Sequence, residues 1–229
     1  MIRVATWNMK QAVAPKKPLP ELWEWMESEI DPDVIVLTEA RVPKDGLPEG
    51  WTAIWTPGGI GPRRTWGTII AARDIELKEA KFKRNPERKK DYIHPHPATL
   101  HTADIVIDGE TWATIVGAYG FMTDSKNGWD AALGIINECV DLLDSGNERV
   151  ILAGDFNLWP EDILPVVENN LEMVDIMGLV EDLPELKDAV GGSRIWTHKN
   201  GNSPNAKRQE LDFIFATDEL ADEVVAAWN

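Results

Sequence analysis

The sequence predicts an α/β protein in which two sheets pack face to face with helices outside. Three observations carry that expectation. Strand patterns outnumber helical ones, several neighbouring strands are spaced as hairpins rather than as strict βαβ units, and the longest apolar runs suit strands buried on both faces. No Gly/Ser linker, internal repeat or low-complexity tract divides the 229 residues. Residues 1–229 are therefore read as a single domain, long enough for one substantial core.

The elements follow in chain order. "IRVATW" (2–7) is apolar and β-branched, a strand. "PELWEWMESEI" places Leu22, Trp25, Met26 and Ile30 on one helical face. "DPD" then turns the chain into "VIVLTE" (34–39), a continuous apolar run. Strand patterns recur at "WTAIWT", "WGTIIAA", "LHTADIVID" and "TWATIVGAYG", with Asp108-Gly109 as a hairpin turn between the last two. "GWDAALGIINECVDLLDSG" repeats apolar residues at Trp129, Leu133, Ile136, Val140 and Leu143 and stops at Gly146, an amphipathic helix. "RVILAGDFN" is the next buried strand. "PEDILPVVENN" and "EMVDIMGL" read as short helices, "RIWTHK" and "ELDFIFAT" as strands, and "ADEVVAAWN" as another strand just begun.

Composition narrows the class. Hydrophobic residues at 43% and charged residues at 27% are ordinary for a soluble globular protein. No apolar run reaches the 18 or so residues of a membrane span. "MIRVATWNMK" has no signal-peptide pattern, so a cytoplasmic protein is expected. A monomer is the expectation for its assembly. The single Cys139 excludes an internal disulfide. A net charge of −16 opposes non-specific nucleic-acid binding through a basic surface, since that affinity comes from neutralising phosphates. It leaves room for metal-assisted chemistry on phosphate esters, because carboxylates are what a hard divalent cation needs. Most of the eleven tryptophans are expected in the core, with a few left to line a cleft.

Four strands share one habit: an apolar run interrupted or ended by a carboxylate or carboxamide. "VATWN" gives Asn8, "VIVLTE" gives Glu39, "VILAGDFN" gives Asp155 and Asn157, and "ELDFIF" gives Asp212. Taken singly, Asn8 or Glu39 is as readily a turn residue at a strand end. As an ordered set, these ends can converge at one rim, where buried carboxylates need a cation, donors or water. Strand alternation sends Asp155 and Asn157 to one side and Phe156 to the core.

"GDFN" after an apolar strand, joined to "WN" near the N-terminus and an acid about thirty residues on, resembles the endonuclease/exonuclease/phosphatase family. The likeness runs through "VIVLTEA", "WGTIIAAR", "IVGAYG" and "LDFIFAT", almost the whole chain. It implies a DNase-like four-layer α-β-β-α sandwich of two mixed, mostly antiparallel sheets. It also implies a hydrolase of phosphate esters that uses Mg²⁺ or Mn²⁺ and in-line attack by water. By that resemblance Glu39 is the metal-binding glutamate and Asn8 supports the metal and phosphate. Asp155 orients or deprotonates the attacking water, and Asn157 positions it or the phosphate. Tyr119 contacts the phosphate, and Asp212 orients a catalytic histidine.

One part of the family's pattern is missing. A closing Ser-Asp-His is expected after "LDFIF", and the sequence stops at "EVVAAWN" without it. The expectation is a chain truncated before its last strand, which in the family pairs with the N-terminal one. His94, His96 and His101 in "HPHPATLH" have spacing that suggests a metal, but proline-rich loop histidines are more often solvated. His198 in "WTHK" reads as a strand or turn residue. The basic run "KFKRNPERKK" (81–90) reads first as a solvated loop and second as a phosphate-holding rim, as do "GPRR" and "AKR". The substrate is left open among nucleic acid, phosphoinositide-like or other small phosphodiesters, and phosphomonoesters. The competing reading is a catalytically impaired protein of the same fold that binds phosphate ligands or partners without turnover.

Overall fold

The computed structural model describes residues 1–10, 19–61, 65–83, 96–121, 128–182, 198–199 and 208–224. Strands β1 (Val4–Asn8), β2 (Val34–Ala40), β3 (Trp51–Trp55) and β4 (Gly67–Arg73) make a four-stranded sheet in the order β1-β2-β4-β3. β5 (Glu76–Glu79), β6 (Leu100–Ile107), β7 (Glu110–Tyr119), β8 (Val150–Asp155), β9 (Val174–Asp175) and β12 (Asp212–Ala216) make a six-stranded sheet, ordered β5-β6-β7-β8-β12-β9. A short antiparallel ladder joins β10 (His198–Lys199) to β11 (Arg208–Gln209). β1–β2 and β7–β8 are parallel and the other pairs antiparallel.

Side-chain alternation sorts the strands into layers. On β2, Ile35 and Leu37 pack with Trp23 and Met26 of the first helical segment, α1 (Leu19–Trp25) and its π-helical continuation Met26–Ile30. Val34 and Val36 face the other way, onto Ile115 of β7 and Ile151 and Ala153 of β8. From β8, Val150 and Leu152 point outward to α2 (Gly128–Asp144) and α3 (Pro160–Leu171), where Ile135, Ile136, Cys139, Ile163 and Val167 are buried. The order of layers is helix, four-stranded sheet, six-stranded sheet, helices. That is the four-layer α-β-β-α sandwich. Two shorter helices, α4 (Ile176–Asp182) and α5 (Asp218–Ala221), flank the edge at β9 and β12. Among the described residues no helix is long and apolar enough to cross a membrane.

The Asp108-Gly109 turn joins β6 to β7 with both residues at positive φ, 53° and 85°, which suits the twist of a tight hairpin. Several elements differ from expectation. Trp25 is 47% exposed, and Trp23 is the buried tryptophan of α1. On α2, Trp129 and Leu133 lie outside while Ala132, Ile135, Cys139 and Leu142 form the buried face. "EMVDIMGL" divides into β9 and the start of α4. β5 is a strand that the sequence pattern did not show. Of "ADEVVAAWN", residues 221–224 are helix and turn rather than strand, and residues 225–229 lie outside the described set. So do most of "RIWTHK", residues 84–90 of the basic run, 62–64 of "GPRR", and His94.

Candidate active site

The site lies where β1, β2, β7 and β8 end. On β8, residues Ile151 and Ala153 face the other sheet, and alternation carries Asp155 to the same side. Asp155 stands directly opposite Tyr119 on β7 and Asp212 on β12, so all three lie in one row across the six-stranded sheet. Two glycines permit the close pairing. A Cβ on Gly154, whose φ is 145°, would sit 1.9 Å from the Ala118 carbonyl oxygen. A Cβ on Gly120 would sit 2.0 Å from the Phe156 carbonyl oxygen. The Gly120 N–H donates to the Asp155 carbonyl at 2.7 Å.

Two side-chain hydrogen bonds among the candidate residues cross from one sheet to the other. Asn8, the last residue of β1, donates from Nδ2 to Asp155 Oδ2 at 2.7 Å. Tyr119 donates its hydroxyl to Glu39 Oε1 at 3.1 Å. The other Asp155 oxygen, Oδ1, accepts the Asn157 backbone N–H at 2.9 Å, and Asn157 Nδ2 donates to the Gly120 carbonyl at 3.1 Å. The Lys10 N–H donates to Asn8 Oδ1 at 2.9 Å, which fixes the Asn8 amide with its NH₂ toward Asp155.

Glu39 reaches this position by an irregularity. Leu37 faces the α1 layer, and plain alternation would send Glu39 the same way. A register shift between Leu37 and Ala40, with Glu39 at φ 48°, turns the side chain toward Tyr119 on the other sheet. Asn157 is also left-handed, at φ 51°, a conformation asparagine tolerates better than most residues.

Burial governs the electrostatics. Asp155 is 4% exposed. Its carboxyl is pushed up from 3.8 to about 6, chiefly by burial, with the Glu39 charge adding to the shift and the Asn8 and Asn157 donors and Lys10 opposing it. The Tyr119 hydroxyl is pushed well above its usual range by burial and by the charges of Glu39 and Asp155, so it stays protonated and donates.

All six residues singled out in the sequence lie at strand ends or, for Asn157, just past one. The hydrogen bonds above link Asn8, Asp155 and Asn157 in one set and Tyr119 with Glu39 in another, and Asp212 belongs to the row of Tyr119 and Asp155. His101 and His96 make their described contacts away from this set. His101 is inside β6, with its ring 3.5 Å from Thr56 Oγ1, and burial pushes it down to about 4. His96 is exposed and accepts from the Ala98 N–H at 3.2 Å. Lys10 was not picked out, since nothing in "WNMK" marks it. Trp66 and Phe121 were also missed, although both flank Tyr119.

Among the described residues no group of three or more His, Cys, Asp and Glu could hold a metal. The donors present are two carboxylates, Glu39 and Asp155, with the neutral Asn8 beside them. That set fits Mg²⁺, which keeps several waters and takes one or two carboxylates plus substrate phosphate, better than a metal needing an all-protein cage.

No protein-family model matches the chain, and no curated protein does. Solved structures match it over most of its length. An endonuclease/exonuclease/phosphatase from Bacteroides vulgatus superposes with a TM-score of 0.64 at 16% identity, covering 95% of this chain and 87% of that one. The fold is that of the endonuclease/exonuclease/phosphatase proteins. The APE2 catalytic domain of Xenopus laevis has this fold too, with a TM-score of 0.63 at 14% identity over 96% and 84% of the two chains. So does D. rerio TDP2, solved with a single-strand DNA product, at 0.59 and 15% over 94% and 83%.

Proposed function

We propose that this protein is a divalent-metal-dependent hydrolase of phosphate esters, working on a phosphodiester. The observation that supports it most is a buried, doubly hydrogen-bonded Asp155 that feels the charge of Glu39 from the other sheet. Glu39 would hold the metal, with Asn8 alongside. When bound, Mg²⁺ or Mn²⁺ supplies charge neutralisation on the phosphoryl oxygens.

The chain's own residues supply the rest. Asp155, with a carboxyl near 6, is ionised at neutral pH yet basic enough to take a proton from a water within hydrogen-bond reach. Asn8 and the Asn157 N–H hold that carboxylate in one orientation, so it needs no rearrangement as the proton arrives. The two carboxamides are neutral and approach an anionic ester without repelling it. Tyr119 keeps its proton and holds Glu39 in place. Asp212, in the row with Asp155, is proposed as an orienting acid. Nucleic acid is a candidate substrate, in keeping with the single-strand DNA product named for the TDP2 neighbour.

The test is hydrolysis of bis-p-nitrophenyl phosphate, an oligonucleotide and a phosphomonoester with Mg²⁺ or Mn²⁺, with EDTA as the control. Metal-dependent release from a diester supports the reading. Tight phosphate-ester binding with no turnover under any metal would favour a binding protein of the same fold.

A further inference from the structure

The bulge that aims Glu39 has a single residue opposite it on β4. Leu37 is paired with Ile69 and Ala40 with Gly67, so Thr38 and Glu39 together face Thr68. Thr68 is only 1% exposed, and the next four residues of its strand are apolar and buried. A β-branched side chain suits this place, but Val or Ile would supply that shape as well. The hydroxyl must find a partner where water hardly reaches it.

That partner belongs to the other half of the sandwich. Thr68 Oγ1 donates to the Thr99 carbonyl at 3.0 Å, and the Thr68 N–H donates to the Ala98 carbonyl at 2.8 Å. Gly67 permits the close approach, since a Cβ there would sit 2.6 Å from the Ala98 oxygen. The Thr99 carbonyl takes a second donor, the Tyr119 N–H at 2.8 Å. Thr99 is also held from the turn before β6, where its N–H and hydroxyl donate to the His96 carbonyl at 2.8 and 2.7 Å. One fixed carbonyl therefore sets the spacing between Thr68 and the Tyr119 backbone.

These contacts close a ring. Glu39 leaves β2 opposite Thr68, Thr68 holds Thr99, Thr99 holds the Tyr119 backbone, and the Tyr119 hydroxyl holds Glu39 Oε1 at 3.1 Å. We infer that Thr68 is a positioning residue for the Tyr119–Glu39 pair. Its hydroxyl acts through the Thr99 carbonyl and touches no reacting atom. The inference rests on the metal-dependent reading of the site for its effect on metal, and on hydrogen-bond geometry alone for its effect on Tyr119.

Thr68→Val keeps the branched shape and the backbone N–H, removes the hydroxyl, and leaves the Thr99 carbonyl its Tyr119 donor. Thr68→Ser keeps the hydroxyl and removes the methyl group. Mn²⁺ binding to the proteins without substrate is measured by calorimetry. The dissociation constant is expected to rise roughly tenfold in Thr68→Val, the lower end for a lost outer-shell partner, and to stay within about twofold in Thr68→Ser. On a Tyr119→Phe background, Thr68→Val should change it by less than about twofold, because the link it acts through is already gone. The metal-free proteins are followed by NMR of Cζ-labelled tyrosine, with the Tyr119 resonance identified as the one that Tyr119→Phe removes. It should move in Thr68→Val and stay in place in Thr68→Ser. If the wild-type protein binds no Mn²⁺ but the resonance behaves in this way, the metal reading fails and the positioning of Tyr119 stands. Four results overturn the inference: a Tyr119 resonance that ignores Thr68→Val, a measurable Mn²⁺ affinity that Thr68→Val leaves intact, an equal loss in Thr68→Ser, or a full further loss on the Tyr119→Phe background.

Discussion

Asp155 carries its charge where water hardly reaches it, and that has a consequence for stability. Its carboxyl titrates near 6 in the folded protein against an ordinary 3.8, so the native state holds the proton more tightly than the unfolded chain. The contribution of this one group to stability is full at acid pH and falls as pH rises from 3.8 to about 6, by up to ~3 kcal/mol. Asp155→Asn removes that cost, but it sets an NH₂ against one of two donors, a loss of ~1–3 kcal/mol. The variant is expected to match the wild type within ~2 kcal/mol near pH 8 and to be clearly weaker near pH 4. Urea unfolding in EDTA at both pH values checks this, and a difference that does not change with pH would refute it. Turnover should meanwhile fall roughly 100- to 10,000-fold, the scale of a lost general base. Glu39→Gln should act on metal instead. The Mg²⁺ concentration giving half-maximal rate should rise by at least the roughly 10- to 100-fold seen when an outer-shell partner is lost. An unchanged metal titration would remove Glu39 from the metal site.

The apolar runs of β2, β7 and β8 could be read from residue type alone, because strands buried on both faces need little else. The acids and amides at their ends could be read for the same reason: a polar residue that ends such a run stands out. Helix faces were less legible. Trp23 and Trp25 lie two positions apart and cannot share one helical face, and the sequence gives no reason to choose Trp23. On α2 the buried face uses Ala132 and Cys139, whose small size lets the helix approach the sheet, and a search for bulky residues selects Trp129 and Leu133 instead. The bulge that turns Glu39 was not legible, since alternation sends that residue to the opposite face. The glycine of "GDFN" has a structural reason as well as a place in a motif. Gly154→Ala would press a methyl group into the Ala118 carbonyl and force a φ of 145° on a residue with a Cβ. A loss of about 3 kcal/mol or more is expected by chemical denaturation. A change below about 1 kcal/mol would mean that β7 and β8 can shift apart freely.

At the scale of the molecule, charge sets how substrate arrives. A basic nucleic-acid binder loses affinity steeply with salt, because phosphates release counterions when cations neutralise them. With a net charge of −16, screening should here relieve repulsion instead. For a short oligonucleotide, kcat/KM is expected to hold steady or rise between about 50 and 200 mM salt. A steep fall over that range would reveal a continuous basic track along the substrate path.

Two hydrogen bonds that cross between the sheets, Asn8 to Asp155 and Tyr119 to Glu39, also make the candidate site a gauge of the gap between the layers. Gly117 lies in that gap, where an added Cβ would come within 2.8 Å of Ile70 and 3.2 Å of Val36. Gly117→Ala forces the Ile70 side chain to shift and asks Val36 to yield by a few tenths of an ångström, which a core absorbs at a cost of about 1–3 kcal/mol. A donor and acceptor held across the same gap have less tolerance, because a hydrogen bond weakens over a similar displacement. Fine adjustment of layer spacing should therefore dim turnover well before it unfolds the protein, and far-off core substitutions become throttles on the chemistry.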